Sequence, residues 1–409
     1  MSSSSWGTVK LGEVSKVLSG YAFKSKDFCE SGVPVIKIKN ITPPYVDLDD
    51  VQFVSKELAQ EKEKYLLQYD DVLISMTGSN VNQFASAVGK VGRVKTHKKM
   101  LLNQRVGKFE IIDNDIYDLD FLYYLISTDE MHYKLALNAS GAANQANISP
   151  SIIEDIELPH PSLPEQKAIA VTLSCLDDKI ELNNHMNKTL EEMAQVIFKS
   201  WFVDFEPFQD GEFEDSELGM IPKGWRVGTL GEVIELYDSM RKPLSSRARE
   251  KMEKQYPYYG ATSLMDYVED YIFDGIYVLL GEDGTVVDNS GYPILQYVWG
   301  KFWVNNHAHI LKGKAGFNED SIFMFLKNTN VQSIVTGAVQ LKINQANLKS
   351  VKIIIPDKTV ITEYNKLIRP SFAKKRAIEE ENQRVIEIRD TLLPKLMSGE
   401  ITVPIEEVQ

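Results

Sequence analysis

The chain has 409 residues, 43% of them apolar and 25% charged, which suits two or three globular domains and excludes a chain disordered throughout. No uncharged apolar run of about 18 residues exists and the start, "MSSSSWGTVK", has no apolar stretch for a signal peptide, so no membrane span is expected and a cytoplasmic location follows. The formal net charge of -13 argues against a uniformly basic nucleic-acid binder, but the charge is segregated along the chain, so a local basic face survives.

In chain order, "WGTVKLGEV" (6–14) is followed by β-branched runs such as "DVLISMTGS" (71–79), bounded by turn formers as core strands are. "GKVGRVKTHKKMLLNQRVGK" (89–108) is basic with no acid. "SGAANQANISPSIIEDIELP" (140–159) ends a first strand-rich block, and the stretch from 163 to 205 then reads as one long helix. Along it Leu173, Ile180, Asn187, Ala194 and Trp201 recur every seven residues, as do Leu176, Asn183, Leu190 and Ile197, the a and d positions of a coiled-coil seam. "DFEPFQDGEFEDSE" (204–217) is acidic without a basic residue and reads as a linker.

The second half repeats the first. "WRVGTLGEV" (225–233) returns the opening motif, "YVLLGEDGT" (277–285) resembles 71–79, and "TGAVQLKINQANLKSVKIIIP" (336–356) resembles 140–159. A second helical stretch then offers Ile378, Val385 and Leu392 at one seam position and Lys375, Asn382, Arg389 and Leu396 at the other, with Pro370 expected to interrupt its start. Asn187 and Asn382 hold equivalent places, where a polar residue trades stability for a fixed register. Two such helices pair antiparallel in this reading and act as a spacer, since about 35 residues at 1.5 Å rise give roughly 50 Å. Cys29 and Cys175 lack a metal-ligand spacing and are expected as buried or free thiols.

Taken together, "LPEQKAIA", "LDDKIELNN", "FKSWFVDFEPF", "SELGMIPKGW", "YYGATSLMDYVEDYIFDGIYVLLGEDGT", "NNHAHIL" and "IRDTLLPKLMSGEI" closely resemble the specificity subunit of Type I restriction-modification systems over essentially the whole chain. The resemblance implies an α+β fold with an internal pseudo-twofold repeat, in which two target recognition domains alternate with two long helices forming an antiparallel coiled coil. Residues 1–160 and 220–357 would be the recognition domains, 161–206 and 358–409 the helical regions, and 207–219 the acidic linker. The implied role is non-catalytic: each domain reads one half of a bipartite, asymmetric site in double-stranded DNA. The helices would dock two adenine-N6 methyltransferase subunits. S-adenosylmethionine would bind those partners, with no cofactor in this chain, and a restriction and translocation subunit can join the assembly. The alternative is a two-domain coiled-coil scaffold that binds protein or carbohydrate ligands.

Phosphate contacts are expected from Lys90, Arg93, Lys95, Lys98, Lys99 and Arg105, with Lys108 alongside, and from Arg241, Lys242, Arg247, Arg249 and Lys251, with Lys254 alongside, because clustered cations set affinity and register without reading sequence. Base edges call for amides, hydroxyls or Arg presented on loops, and the turns 77–83 and 281–285 are the best placed, which makes Thr77, Ser79, Asn80, Asn82, Gln83, Glu282, Asp283 and Thr285 the candidates. Tyr258 and Tyr259 are open to either stacking on DNA or a place in the core.

Catalytic signatures are missing. "NITPPYVD" approaches the motif of an adenine methyltransferase, but Thr42 stands where an amide or acid is needed and no glycine-rich cofactor turn precedes it, so a proline turn is expected. No GxxxxGK[ST] loop occurs, and "PDKTVITEYNK" lacks the second carboxylate of a metal nuclease. His307 and His309 share a strand face without an evident third ligand, so no metal site is expected.

Overall fold

A computed structural model describes residues 6–79, 82–83, 88–142, 145–337 and 340–404. The chain divides into two compact units, Met1–Glu181 with Asn382–Gln409, and Leu182–Glu381. Each unit joins a strand-rich lobe to a length of both long helices, Leu163–Phe202 and Lys358–Met397.

In the first unit a six-stranded sheet runs in the order Ser15–Ser19, Val106–Ile111, Val72–Ser75, Val91–Arg93, Tyr45–Val46, Ile41–Thr42. The proline turn, with a cis Pro43–Pro44 bond, joins the last two strands. A five-stranded sheet runs Phe28–Cys29, Gln52–Val54, Val33–Ile36, Met100–Leu102, Leu66–Leu67, with its third and fourth strands parallel.

The second unit repeats this wiring. One sheet runs Ile234–Leu236, Ala308–Gly313, Tyr277–Gly281, Leu295–Val298, and the other Leu264–Val268, Tyr256–Tyr259, Lys301–Val304, Phe273–Asp274, again with one parallel pair in the middle. The repeat extends to detail. In both lobes the sequence LGEV forms a single helical turn, Leu11–Val14 and Leu230–Val233, with its apolar ends buried. The glutamates of these turns, Glu13 and Glu232, accept from the backbone N–H of Lys10 at 3.3 Å and of Thr229 at 2.8 Å, which fixes the helix start. The strand before each turn pairs with the last strand of its lobe, Gly7–Lys10 with Glu157–His160 and Arg226–Thr229 with Lys352–Ile355.

Each lobe's core takes in both helices. In the first, Leu11, Ile74, Phe121 and Leu158 pack with Ile169 and Leu173 of the central helix and with Leu396 and Met397 of the C-terminal one. In the second, Leu230, Val278 and Phe325 pack with Phe198 and Phe202, and with Tyr364, Ile368 and Phe372. The helices are antiparallel within each unit: Asp177 meets Arg389 in one, while Asn183 meets Glu381 and Glu191 meets Lys375 in the other. On the predicted seam Leu173, Ile180, Asn187, Ile378 and Asn382 are buried, and Leu176, Leu190, Ile197, Val385 and Leu392 half-buried.

Two expectations are corrected. Pro370 does not interrupt the C-terminal helix, which runs unbroken from Lys358. Its ring is exposed, while Ile368 and Phe372 on either side are buried, and that burial outweighs the roughly 3 kcal/mol that an interior proline costs. Nor is the acidic segment plain linker: Phe213–Ser216 and Gly219–Pro222 form a hairpin, with Ile221 packed in the second lobe's core.

Candidate nucleic-acid interface

In both lobes the central strand runs out of its sheet into a second, smaller pairing. Thr77–Gly78 continues Val72–Ser75 and pairs with Gln145–Asn147, which pairs with Ser140–Ala142. In the other lobe the segment 282–285 continues Tyr277–Gly281, where Gly284 donates to Leu341 O at 2.9 Å and Ile343 donates to Glu282 O at 2.9 Å. A third segment closes each end: Met76 N–H donates to Arg105 O at 2.9 Å, and Glu282 N–H donates to His307 O at 2.8 Å. The candidate base-reading turns therefore hold equivalent places, one per lobe.

Their side chains differ in availability. Asn82, Gln83, Arg105 and Thr285 are exposed. Thr77 is buried and its hydroxyl donates to Asn147 Oδ1 at 2.7 Å, and Ser79 is buried with its hydroxyl on Gln83 O at 2.9 Å, so both shape the turn. Asn80 lies outside the described residues. Asp283 faces His307 at 2.5 Å.

Glu282 points inward, into a cluster that no sequence motif marks. Asp238, on a turn after the strand Ile234–Leu236, accepts from His309 Nδ1 at 2.6 Å, from Ile310 N–H at 2.9 Å and from Gln345 Nε2 at 2.6 Å. Arg241 donates to Glu282 at 2.6 Å and to Ala308 O at 2.7 Å, and Lys342 pairs with Glu282 at 3.1 Å. Burial alone would push the Asp238 and Glu282 carboxyls up, but these donors and charges hold both below their ordinary values. Asp238, Glu282 and His309 place ligand atoms within 4.8 Å of one another. Yet His309 turns its other nitrogen to Ile343 O at 2.7 Å, so both ring nitrogens face protein acceptors and neither lone pair is offered to a metal. Arg241 and Lys342 add their charges, and the geometry is that of a satisfied internal network supporting the turn.

The predicted phosphate contacts divide in the same way. Lys98, Lys99, Arg105, Lys242, Arg247 and Lys251 are exposed and make no ion pair among the described residues, and Lys90 is half-buried. Arg93, Arg241 and Arg249 turn inward, contrary to expectation. Arg93 is 5% exposed, pairs with Asp120 at 2.7 Å and lies over the Tyr123 ring at 4.1 Å; Arg249 pairs with Asp266 at 3.0 Å and lies over Tyr258. Guanidiniums so engaged cannot reach a phosphate without breaking the lobe. Lys95 pairs with Asp70 at 2.9 Å, Lys108 with Glu110 at 3.0 Å and Lys254 with Asp266 at 2.8 Å. Tyr258 is a core residue whose hydroxyl accepts from Leu244 N–H, and Tyr259 packs on Phe302. Both cysteines are exposed free thiols. Among the described residues no helix is long and apolar enough to cross a membrane.

Residues 3–192 and 222–376 match the family model of the Type I restriction modification DNA specificity domain. The Type I restriction enzyme MjaIX specificity subunit of Methanocaldococcus jannaschii is 30% identical over 335 residues, covering 76% of each chain. The putative MjaX specificity subunit of the same organism is 23% identical over 410 residues, covering 97% of this chain and 94% of its own. The S subunit of a Type-I restriction-modification system from M. genitalium shares the fold, with a TM-score of 0.57 at 16% identity over 96% of both chains. With the same lobe wired twice and both copies matched, the chain belongs to the Type I restriction-modification DNA specificity family.

Proposed function

We infer that this chain is the DNA-specificity subunit of a Type I restriction-modification complex, with each lobe reading one half of a bipartite, asymmetric site in double-stranded DNA. The observation that carries the reading is the equivalence of the two turn-bearing ends, Thr77–Gly78 with its hairpin and 282–285 with its own, presented by sheets of matching strand order. Two copies of one reader suit two half sites, and the different side chains on the two turns suit an asymmetric one. Exposed Lys98, Lys99 and Arg105 on one lobe and Arg247 and Lys251 on the other supply phosphate contacts that set register.

The chain contributes no catalytic step. Two adenine-N6 methyltransferase subunits dock on the helices and bring S-adenosylmethionine, the helices serve as spacer between readers, and a restriction and translocation subunit joins the same assembly in the cytoplasm. The test is reconstitution: the chain is combined with its cognate methyltransferase subunits and S-adenosylmethionine, and methylation is read across a library of random sequence. One bipartite N6-methyladenine motif is expected. A complex that assembles and methylates without sequence preference overturns the assignment.

A further inference from the structure

The second lobe is fastened to the C-terminal helix through one strand. Tyr297, on Leu295–Val298, places its ring between Phe323 of the lobe helix Glu319–Lys327 and Phe372 of the C-terminal helix, with centroids 5.6 and 5.1 Å away. Its hydroxyl donates to Asp320 Oδ1 at 2.5 Å and accepts from Arg376, which also approaches Asp320 at 3.7 Å. Just beyond the end of that strand, Trp299 Nε1 donates to Glu380 Oε1 at 3.0 Å. Phe372, Arg376 and Glu380 are four residues apart, so they line one face of the helix over successive turns. Tyr297 stands opposite Val278, on the strand that runs on into the 282–285 turn. The fastening and the reading turn thus belong to neighbouring strands of one sheet.

The other lobe fills the same register position differently. Arg93 stands opposite Val72 as Tyr297 stands opposite Val278, and Asp120 holds the place of Asp320 at the second position of its helix. There the lobe supplies the buried cation. The helices supply Asp177, which accepts from Tyr124 at 2.7 Å and pairs with Arg389 at 2.9 Å. In the second lobe the buried carboxylate is the lobe's and the cation the helix's. The first lobe thus keeps its ion pair within itself and reaches the helices through the Tyr124 hydroxyl, whereas the second lobe meets a helix cation directly.

We propose that Arg376 is a positioning residue for site spacing: by clamping Tyr297 and Asp320 to the C-terminal helix, it fixes the tilt of the second lobe's sheet and so the position at which that lobe accepts its half site. The proposal rests on the reading of the chain as a DNA-specificity subunit. The Phe323–Tyr297–Phe372 stack is apolar and tolerates small rotations, whereas the charged hydrogen bonds through Arg376 are directional. Removing the guanidinium leaves the lobe attached but free to rock.

The test uses the full chain assembled with its methyltransferase subunits and S-adenosylmethionine, on DNAs that keep both half-site sequences and vary the gap between them. Wild type is expected to prefer one gap. Arg376→Gln is expected to raise methylation of gaps one base pair shorter and longer by about fivefold to tenfold relative to the best gap, the scale of one ordinary hydrogen bond. The bases read at both half sites stay the same, and Arg376→Lys restores part of the discrimination. Tyr297→Phe removes only the bridging hydroxyl and is expected to broaden the gap profile in the same direction, which keeps the test open if Arg376→Gln fails to assemble. A gap profile unchanged in the assembled variants overturns the proposal, as does an equal loss at every gap, which would mark the cluster as structural support alone. A wild-type complex with no bipartite preference overturns the underlying reading, and the proposal with it.

Discussion

Gly12 and Gly231 are pressed against equivalent short helices in the two lobes, where a Cβ would come within 2.9 Å of the Cβ of Glu154 and of Lys349 respectively. Backbone carbonyls at 3.0 and 3.1 Å leave no room for the neighbour to yield. The glycine of the repeated LGEV turn is therefore a packing requirement met twice. Gly12→Ala is expected to cost about 1–3 kcal/mol, the usual cost of overpacking, and Gly231→Ala a similar amount. Hydrogen exchange read peptide by peptide checks this: Gly12→Ala should loosen Ser15–Ser19, where Glu154 accepts from Val17 N–H at 2.9 Å, and leave Ile234–Leu236 protected. Gly231→Ala should do the reverse.

Cations of similar sequence context should separate into two classes by experiment. Replacing Lys98, Lys99 and Arg105 together by Gln should weaken DNA binding nearly uniformly across sequences and lower the salt slope by roughly one unit for each phosphate no longer neutralised. Arg241→Gln should instead lower the stability of its own lobe by about 3–5 kcal/mol, as expected when one partner of a buried pair is removed, and Arg93→Gln should lower that of the first lobe by less, because its partner Asp120 is half exposed. Fluorescence anisotropy at several salt concentrations, beside chemical unfolding, measures both.

Asp238 is the acceptor on which His309, Ile310, Gln345 and Arg241 converge. An amide in its place turns a donor toward donors. Asp238→Asn is expected to destabilise the second lobe by about 2–4 kcal/mol, with exchange increasing first in Ala308–Gly313 and the 282–285 turn. Exchange unchanged in those segments would show that the network does not support the turn.

Acid should act on the second lobe through Asp266. Lys254, the Tyr267 N–H and Arg249 pull its carboxyl down to about 2. A carboxyl depressed in the folded state adds stability that is present above its ordinary value near 4 and is lost as pH falls toward about 2. The Arg249 end of the short helix Ser246–Arg249 should accordingly loosen between about pH 4 and 2, and Asp266→Asn should flatten that limb of the pH profile. Circular dichroism melts of the two proteins over this range provide the comparison.

Much of the architecture is legible in the sequence because it depends on local pattern. The two LGEV turns, the β-branched runs and the seven-residue spacing of Leu173, Ile180 and Asn187 each report a period or a cap that neighbouring residues impose. The site is less legible because its chemistry is assembled across distance. Asp238 and His309 are 71 residues apart, and no spacing rule joins them. Net charge along a segment also says nothing of direction: Lys98 and Lys99 face solvent while Arg93, only five residues before Lys98, faces the Tyr123 ring. Glu282 reads as part of a DNA-facing turn because its neighbours Asp283 and Thr285 are polar, but alternation along an extended chain sends adjacent side chains to opposite sides. Pro370 misleads for the opposite reason, since a local rule about helix breaking yields to burial on both flanks.

The composition of the two units sets an order on synthesis. The second is continuous, Leu182–Glu381, and holds every element of its core once residue 381 has emerged. The first is not: Leu396 and Met397 are part of the core that contains Leu11 and Phe121, and Ile401 and Val403 pack against it. A nascent chain can therefore finish its later lobe before its earlier one, since the N-terminal lobe waits for Leu396 to Val403 to leave the ribosome. A nonsense or frameshift mutation between the codons for Asn382 and Leu396 would consequently expose the core of the lobe encoded first, while the lobe encoded next to the lesion stays whole.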